Sequence, residues 1–373
     1  MSFPRKQESF ELELNYNMKA ESPFHKGFKL QGKSFNSLKE LIDFSKSISD
    51  EIHHFLVDWF KDIPFVEVKT SGSTGAPKTI KLSKKYMINS ALATGNYFNL
   101  LENTTALLCM SPNYIAGKMM LVRALTLGWQ LDVVEANSNP LKNLDKKYDF
   151  SAMVPLQLNN SLSDIYKISK LLVGGGAVSN ELLNKIQNIN TEVFATYGMT
   201  ETITQIAVKE LNHMRHAELD SASHYKTLPN INISKDNRGC LVIDAPNVSS
   251  EKVITNDLVE LISSTEFKWL GRFDTIINSG GIKLIPEQIE EKFEKIIHQR
   301  FFVAGIFDEL LGEKLVLIIE SLGEKVSHNE ILKNIKNLKL VTRFEIPRNI
   351  YFIEQFIETP TNKIHRTETL KLL

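Results

Sequence analysis

Short apolar runs that end in glycine or hydroxyl-bearing loops alternate with longer amphipathic stretches through the first half of this chain. That alternation restricts the fold more than any other feature. Four runs, Thr105 to Ser111, Trp129 to Ala136, Lys170 to Gly176 and Thr191 to Gly198, are short and apolar enough to read as buried strands. Strands separated by helical patterns form sheets covered on both faces, so the expected class is α/β. In open sheets of that kind ligands gather outside the carboxyl ends of the strands, which makes the loops holding Gly174, Gly175, Gly176 and Tyr197 the first places to look for a site.

The pattern changes twice further on. Ile231 to Ile262 is β-rich, and beyond Trp269–Thr275 a helix is announced by Pro286, with Ile289, Phe293, Ile296 and Ile297 expected on one face. A strand over Lys314–Glu320 and a helix over His328–Leu338 follow. A chain of 373 residues has room for about two domains. The expected boundary lies at Gly271 to Asp274, giving a large domain over 1–271 and a small α+β domain over 272–373. Lys+Arg and Asp+Glu both total 44, so nothing favours a nucleic-acid partner. Cys109 and Cys240 lie far apart in no metal-ligand spacing and read as buried, reduced thiols, a disulfide being the less favoured alternative, which with the polar start of the chain makes the cytoplasm the expected compartment. No apolar run reaches the ~18 residues of a membrane span. His213, His216 and His224 are irregularly spaced in a polar stretch and read as a solvated loop.

One segment asks for chemistry. "TSGSTGAPKT", Thr70 to Thr79, sets hydroxyls and glycine ahead of a lone lysine, close to the Walker pattern of phosphate loops. Pro77 stands where the second glycine of that pattern belongs, and proline offers neither an N–H nor positive φ, so a Walker nest cannot close. Two readings stay open: an ordinary surface turn, or a phosphate-holding loop built from Thr70, Ser71, Gly72, Ser73, Thr74 and Lys78.

Four further segments bear on that choice. They are "YGMTET" (Tyr197 to Thr202), "TNDLVEL" with Asp257, "WLGRFDTIINSGGIKLIPEQIEE" with Arg272, Asp274, Gly280, Gly281 and Lys283, and "ETPTNKIHR" with Lys363. In this order and context they resemble the acyl-adenylate-forming superfamily of acyl- and aryl-CoA ligases, luciferases and peptide-synthetase adenylation domains, from about Thr70 to the C-terminus. The resemblance implies a large adenylating domain of mixed sheets flanked by helices and a small mobile α+β domain. It implies ATP, Mg²⁺ and CoA as cofactor or co-substrate, and a small carboxylic acid as substrate. By the same resemblance Tyr197 stacks on adenine, with Gly174 and Gly175 lying nearby. Thr200 bonds the phosphate region, Glu201 holds Mg²⁺, Asp257 and Arg272 bind ribose, and Lys363 stabilises the adenylation step. Asp274 is the hinge, and Gly280 and Gly281 carry the loop that admits CoA.

The chain departs from that pattern in places. Thr361-Asn362 stands before Lys363 where Asn-Gly is common, and Thr-Asn-Asp ends at Asp257 where Thr-Gly-Asp is common. The phosphate loop also comes early, so the front of the large domain is expected to be short, and homo-oligomer contacts stay open. The stretch "SPNYIAGKMMLVRAL" (Ser111 to Leu125) resembles the acyl-pocket segment of o-succinylbenzoate-CoA ligases, with Tyr114 where many relatives have histidine. A dicarboxylate needs a cation for its second carboxylate, and Lys118 and Arg123 are the candidates, with Arg123 preferred for its planar fork. A ligase for another aryl or fatty acid, and a nucleotide-binding module without turnover, are the alternatives. A peptide-synthetase loading module fits less well, no carrier domain following Leu373.

Overall fold

The computed structural model describes residues 23–69, 79–212, 224–321, 327–359 and 363–373. The Thr70–Lys78 loop, His213, His216 and Thr361-Asn362 lie outside the described residues. The chain opens with a small pair of strands, β1 (Lys29–Leu30) and β2 (Lys33–Ser34), then α1 (Leu38–Ser45) and α2 (Asp50–Phe60). Serine caps both helices: Ser37 Oγ accepts from Glu40 N and Ser49 Oγ from Ile52 N, satisfying amides that the first turn leaves free. Strands β3 (Phe65–Lys69) and β4 (Thr79–Ser83) pair antiparallel as a separate two-stranded sheet, and α3 (Lys84–Phe98) follows.

The expected alternation then appears as β5 (Thr105–Leu108), α4 (Ile115–Leu127), β6 (Gln130–Val133), β7 (Tyr148–Met153), α5 (Pro155–Asn160), β8 (Ile168–Val173), α6 (Asn180–Ile186) and β9 (Glu192–Gly198). These strands pair parallel, in the order β9-β8-β7-β5-β6. Successive side chains leave opposite faces of a strand, so Ala106 and Leu108 of β5 enter one core while Leu107 and Cys109 enter another. On the first side Phe150 lies against Trp129 at 5.3 Å and Phe98 at 6.4 Å between ring centres. Truncating so buried a ring costs about 3–5 kcal/mol. Several strands stop short of the apolar runs that announce them, because the chain turns toward solvent as soon as the last ladder bond is made. Gly174 N donates to Met153 O and Gly175 then takes φ +80°.

Past β9 the sheet becomes antiparallel: β10 (Gln205–Glu210), β11 (Tyr225–Thr227), β12 (Asn232–Lys235), β13 (Cys240–Asp244), β14 (Val253–Leu261) and β15 (Glu266–Arg272). Its order, β12-β13-β14-β15-β11-β10, joins β9, so one mixed sheet of 13 strands runs through the described part of 29–272. After Arg272 a second sheet begins: β16 (Ile277–Ser279), β17 (Ile282–Leu284), α7 (Pro286–Phe293), β18 (Phe301–Asp308), β19 (Gly312–Glu320), α8 (His328–Asn337), β20 (Asn349–Ile353) and α9 (Arg366–Leu370). Gly280 and Gly281, at φ +59° and +83°, make the two-residue turn of the β16–β17 hairpin, which needs positive φ at both positions. Helix α7 starts at Pro286 as expected but ends at Phe293. Ile297 is buried in the turn beyond it, and Ile296 packs there half-buried.

Candidate active site

The parallel strands deliver their ends to one place. Gly174 follows β8 and a side chain there would run into Thr196 Oγ1, so only glycine lets the neighbouring strand pass so close. At the end of β9, Gly198 faces the backbone of Thr204 and Gln205, with Gln205 Cα 2.7 Å from where a Cβ would stand. Between them Thr200–Thr202 forms one tight helical turn. The Thr202 hydroxyl pins it, accepting from Met199 N at 3.1 Å and lying 3.0 Å from the Thr204 carbonyl. Ile203 closes the turn at φ +68°, a backbone conformation rare for a β-branched residue. Nothing in the sequence marks that strain. The turn leaves Glu201 exposed, and among the described residues no hydrogen bond or ion pair engages its carboxylate. An exposed carboxylate in a strand-end loop is the type of group that suits Mg²⁺, which prefers one or two carboxylates with phosphate oxygens and water.

A second group sits on the antiparallel part. Asp257 and Arg272 are cross-strand partners on β14 and β15. Tyr197 Oη donates to Asp257 Oδ2 at 2.6 Å, Trp269 Nε1 donates to Oδ1 at 3.1 Å, and Arg272 Nη1 stands 3.8 Å from Oδ1. Burial, and then the Asp257 charge, push the Tyr197 phenol far above its ordinary range, so it stays a donor. Its ring packs edge-on to Phe267 at 5.1 Å. Strand β9 is four places from β14 in the sheet, about 19 Å if the sheet were flat. The 2.6 Å contact therefore requires strong curling, which brings Tyr197 and Asp257 together. Arg272 also forms a two-pronged pair with Asp274, at 2.9 and 2.7 Å, which raises the guanidinium pKa and lowers that of the carboxyl.

Helix α4 carries the expected substrate residues, and the structure separates them. Tyr114, at its N-cap, is exposed. Gly117 packs against the Ser111 and Met110 carbonyls, where no side chain fits. Lys118 donates to the Pro112 carbonyl at 2.7 Å and lies 5.1 Å from the Phe55 ring, so it fastens α4 to α2. Arg123 is buried at 2% exposure. Its Nη2 donates to Gln205 Oε1 at 2.9 Å and reaches Thr204 Oγ1 at 3.4 Å, while Nε has no partner. No carboxylate pairs with it among the described residues, and burial lowers its pKa to about 10. Gln205 is itself held by Thr94 at 2.9 Å. This cradle of Thr94, Thr204 and Gln205 escapes sequence reasoning, since its members come from distant segments.

Lys363 follows the second sheet, just ahead of α9. Its N–H donates to Thr359 Oγ1 at 3.1 Å, and desolvation pulls its ammonium pKa below the usual lysine value although the residue as a whole is exposed. No hydrogen bond or ion pair joins it to Thr200, Glu201 or Asp257 among the described residues. The neighbouring Arg366 is anchored to Glu290 on α7 at 2.8 Å. Cys109 and Cys240 are free and buried, and burial pushes the Cys109 thiol up to about 12. Among the described residues no cluster of His, Cys, Asp and Glu forms a metal cage, and no helix is long and apolar enough to cross a membrane.

The family model described as AMP-binding enzyme matches residues 68–244, a span that holds both strand-end loops. A solved acyl-CoA synthetase (AMP-forming)/AMP-acid ligase II-like protein from Dyadobacter fermentans is 36% identical, with 87% of this chain and 95% of that one covered at a TM-score of 0.56. The chain belongs to the AMP-binding enzyme family. Among curated AMP-binding relatives, a 2-succinylbenzoate–CoA ligase of Staphylococcus epidermidis is 24% identical over 327 residues, 80% of this chain and 67% of that protein. The O-succinylbenzoate coenzyme A synthetase (MenE) from Bacillus subtilis, solved in complex with ATP and magnesium ion, is 21% identical and shares the fold at a TM-score of 0.71 over 82% of this chain and 69% of that one.

Proposed function

We propose that this chain is an ATP-dependent acid–CoA ligase that converts 2-succinylbenzoate, through its acyl-adenylate, to the CoA thioester. The observation that carries the choice of acid is Arg123, a buried guanidinium with an unpartnered Nε and, among the described residues, no counter-ion. An uncompensated buried charge costs several kcal/mol, and the distal carboxylate of a dicarboxylic substrate would offset that cost. The ligase names of the relatives support the same substrate. Lys118, held by Pro112 and Phe55, is not assigned to it.

In the first half-reaction a substrate carboxylate oxygen attacks the α-phosphorus and diphosphate departs. In the second the CoA thiolate attacks the acyl carbon and AMP departs. Asp257, its two oxygens oriented by Tyr197 and Trp269, accepts from the ribose hydroxyls, and Arg272 donates to them. Tyr197 offers its ring face to adenine beside Gly174 and Gly175. Thr200 bonds the α-phosphate. Glu201 holds Mg²⁺, which supplies charge neutralisation at the phosphates when bound. Lys363, protonated, places positive charge where the carboxylate meets the α-phosphate. The large domain spans 1–271, the small one 272–373 turns at Asp274, and the Gly280–Gly281 hairpin tip admits the pantetheine arm. Two buried free thiols fit a reducing cytoplasm.

Acid-dependent exchange between ATP and diphosphate tests this. 2-Succinylbenzoate is expected to support exchange well above benzoate or a long-chain fatty acid. Equal support from a monocarboxylate removes the substrate assignment, and no exchange with any acid removes the ligase reading.

A further inference from the structure

One turn of α3 controls how Arg123 is held. Ser90 and Thr94 stand four residues apart on that helix, and both are buried. The Thr94 hydroxyl donates its proton to the Ser90 carbonyl at 2.9 Å. A hydroxyl has one proton, so toward any other group Thr94 Oγ1 can only accept. Gln205 Nε2 donates to it at 2.9 Å, which turns the other end of the amide, Oε1, onto Arg123 Nη2 at 2.9 Å. A reversed amide would set its NH₂ against the guanidinium, two donors with no acceptor between them. Ser90 Oγ lies 3.2 Å from Thr204 Oγ1, which in turn stands 3.4 Å from the same Nη2. Nη1 meets Met120 Sδ, a weak acceptor, at 3.7 Å. Among the described residues the fork is therefore held by neutral atoms, and none of them cancels its charge.

We propose that Thr94 is a positioning residue for the acid substrate: through the Gln205 amide it fixes the Arg123 fork without neutralising it, leaving that charge for the second carboxylate of a dicarboxylic acid. This role rests on the reading of Arg123 as the partner of that carboxylate. A carboxylate at position 205 would hold the fork equally well but would take up the charge. An amide free to turn would leave the fork loose. Thr94 itself touches no substrate atom in this scheme, so its loss acts on the acid and leaves ATP alone.

The test uses the full chain. Thr94→Val keeps the shape and removes the hydroxyl, and Thr94→Ser puts the hydroxyl back. Thr94→Val is expected to raise the KM for 2-succinylbenzoate about tenfold, the scale of one hydrogen bond to a charged group, with kcat and the KM for ATP as in the parent. Thr94→Ser should restore the parent's KM. A second measurement needs no ligand: the melting temperature lost on Thr94→Val, read by calorimetry, should be smaller in an Arg123→Met background, where the amide has no guanidinium to face. Equal losses in the two backgrounds overturn the proposal. So do an unchanged KM for the acid, a rise that Thr94→Ser does not reverse, and a parallel rise in the KM for ATP. Should the valine variant not fold, Thr94→Ala, which leaves room beside the amide, is read in its place against the same outcomes. An Arg123→Met variant that uses 2-succinylbenzoate like the parent removes the substrate reading, and the role of Thr94 with it; unequal kinetics with equal melting losses remove the role of Thr94 alone.

Discussion

Arg123 separates what serves stability from what serves recognition. Its guanidinium is desolvated and pairs with no anion among the described residues, so replacing it by a well-packed apolar chain removes the cost of that buried charge. Arg123→Met is therefore expected to melt no lower than the parent, read by calorimetry. The same change should weaken transition-state binding of 2-succinylbenzoate by about 2–5 kcal/mol, the usual scale for losing a buried charge pair, with the KM for ATP preserved. A variant that turns over that acid like the parent shows that Arg123 does not read the second carboxylate. Lys363 gives the complementary pH prediction. Desolvation lowers its pKa, so its proton is lost as pH rises at values below the usual lysine range. If the ammonium acts in adenylation, the rate of adenylate formation falls along that alkaline limb. In Lys363→Arg whatever activity survives should lack the limb; an identical limb in the variant assigns it to another group.

At the scale of elements, the turn between β9 and β10 depends on one absent side chain. Gly198 lies against the backbone of Thr204 and Gln205, so Gly198→Ala must displace main chain rather than a side-chain tip. A loss of about 1–3 kcal/mol in urea unfolding is expected, as for other overpacked sites. The adenylation rate should fall with it, because Thr200 and Glu201 ride on the same turn. The segment between β3 and β4 carries a separate expectation. Thr74→Ala or Lys78→Ala should slow adenylate formation and raise the ATP requirement, yet leave thioester formation from supplied acyl-AMP largely unchanged. An unaffected first step would remove phosphate binding from that loop. Strands β5, β8 and β9 were legible because buried parallel strands are continuous apolar runs, and the Gly280–Gly281 turn because hairpins have their own chemistry. The meeting of Tyr197 with Asp257 was legible only through family resemblance, since sheet curvature creates it and no local pattern encodes curvature. The Thr94, Thr204 and Gln205 cradle is invisible because its members on α3 and at the start of β10 lie far apart in the chain, and Ile203 carries no turn-forming signal for its positive φ.

For the whole molecule the central expectation is alternation. Lys363 follows β20 while the Gly280–Gly281 tip joins β16 and β17, and the proposed alternation has them face the acyl group in turn. Lys363→Ala should block adenylate formation while supplied acyl-AMP still becomes thioester. Gly281→Leu, which forces a branched side chain to φ +83°, should do the reverse. Equal losses in both steps for both variants would end the alternation scheme. The indole at Asp257 has an optical consequence. Of the three tryptophans, Trp59 and Trp129 are sealed in the core, whereas Trp269 is only partly covered and hydrogen-bonds Asp257, the carboxylate proposed to bind ribose. Its emission should be the one that changes colour when a nucleotide takes that carboxylate, with Trp59 and Trp129 forming a constant background. Trp269 is thus an intrinsic fluorophore at the nucleotide site proposed here, and a titration of unlabelled enzyme with ATP, silent in Trp269→Phe and intact in Trp59→Phe, would read occupancy without any acid or CoA present.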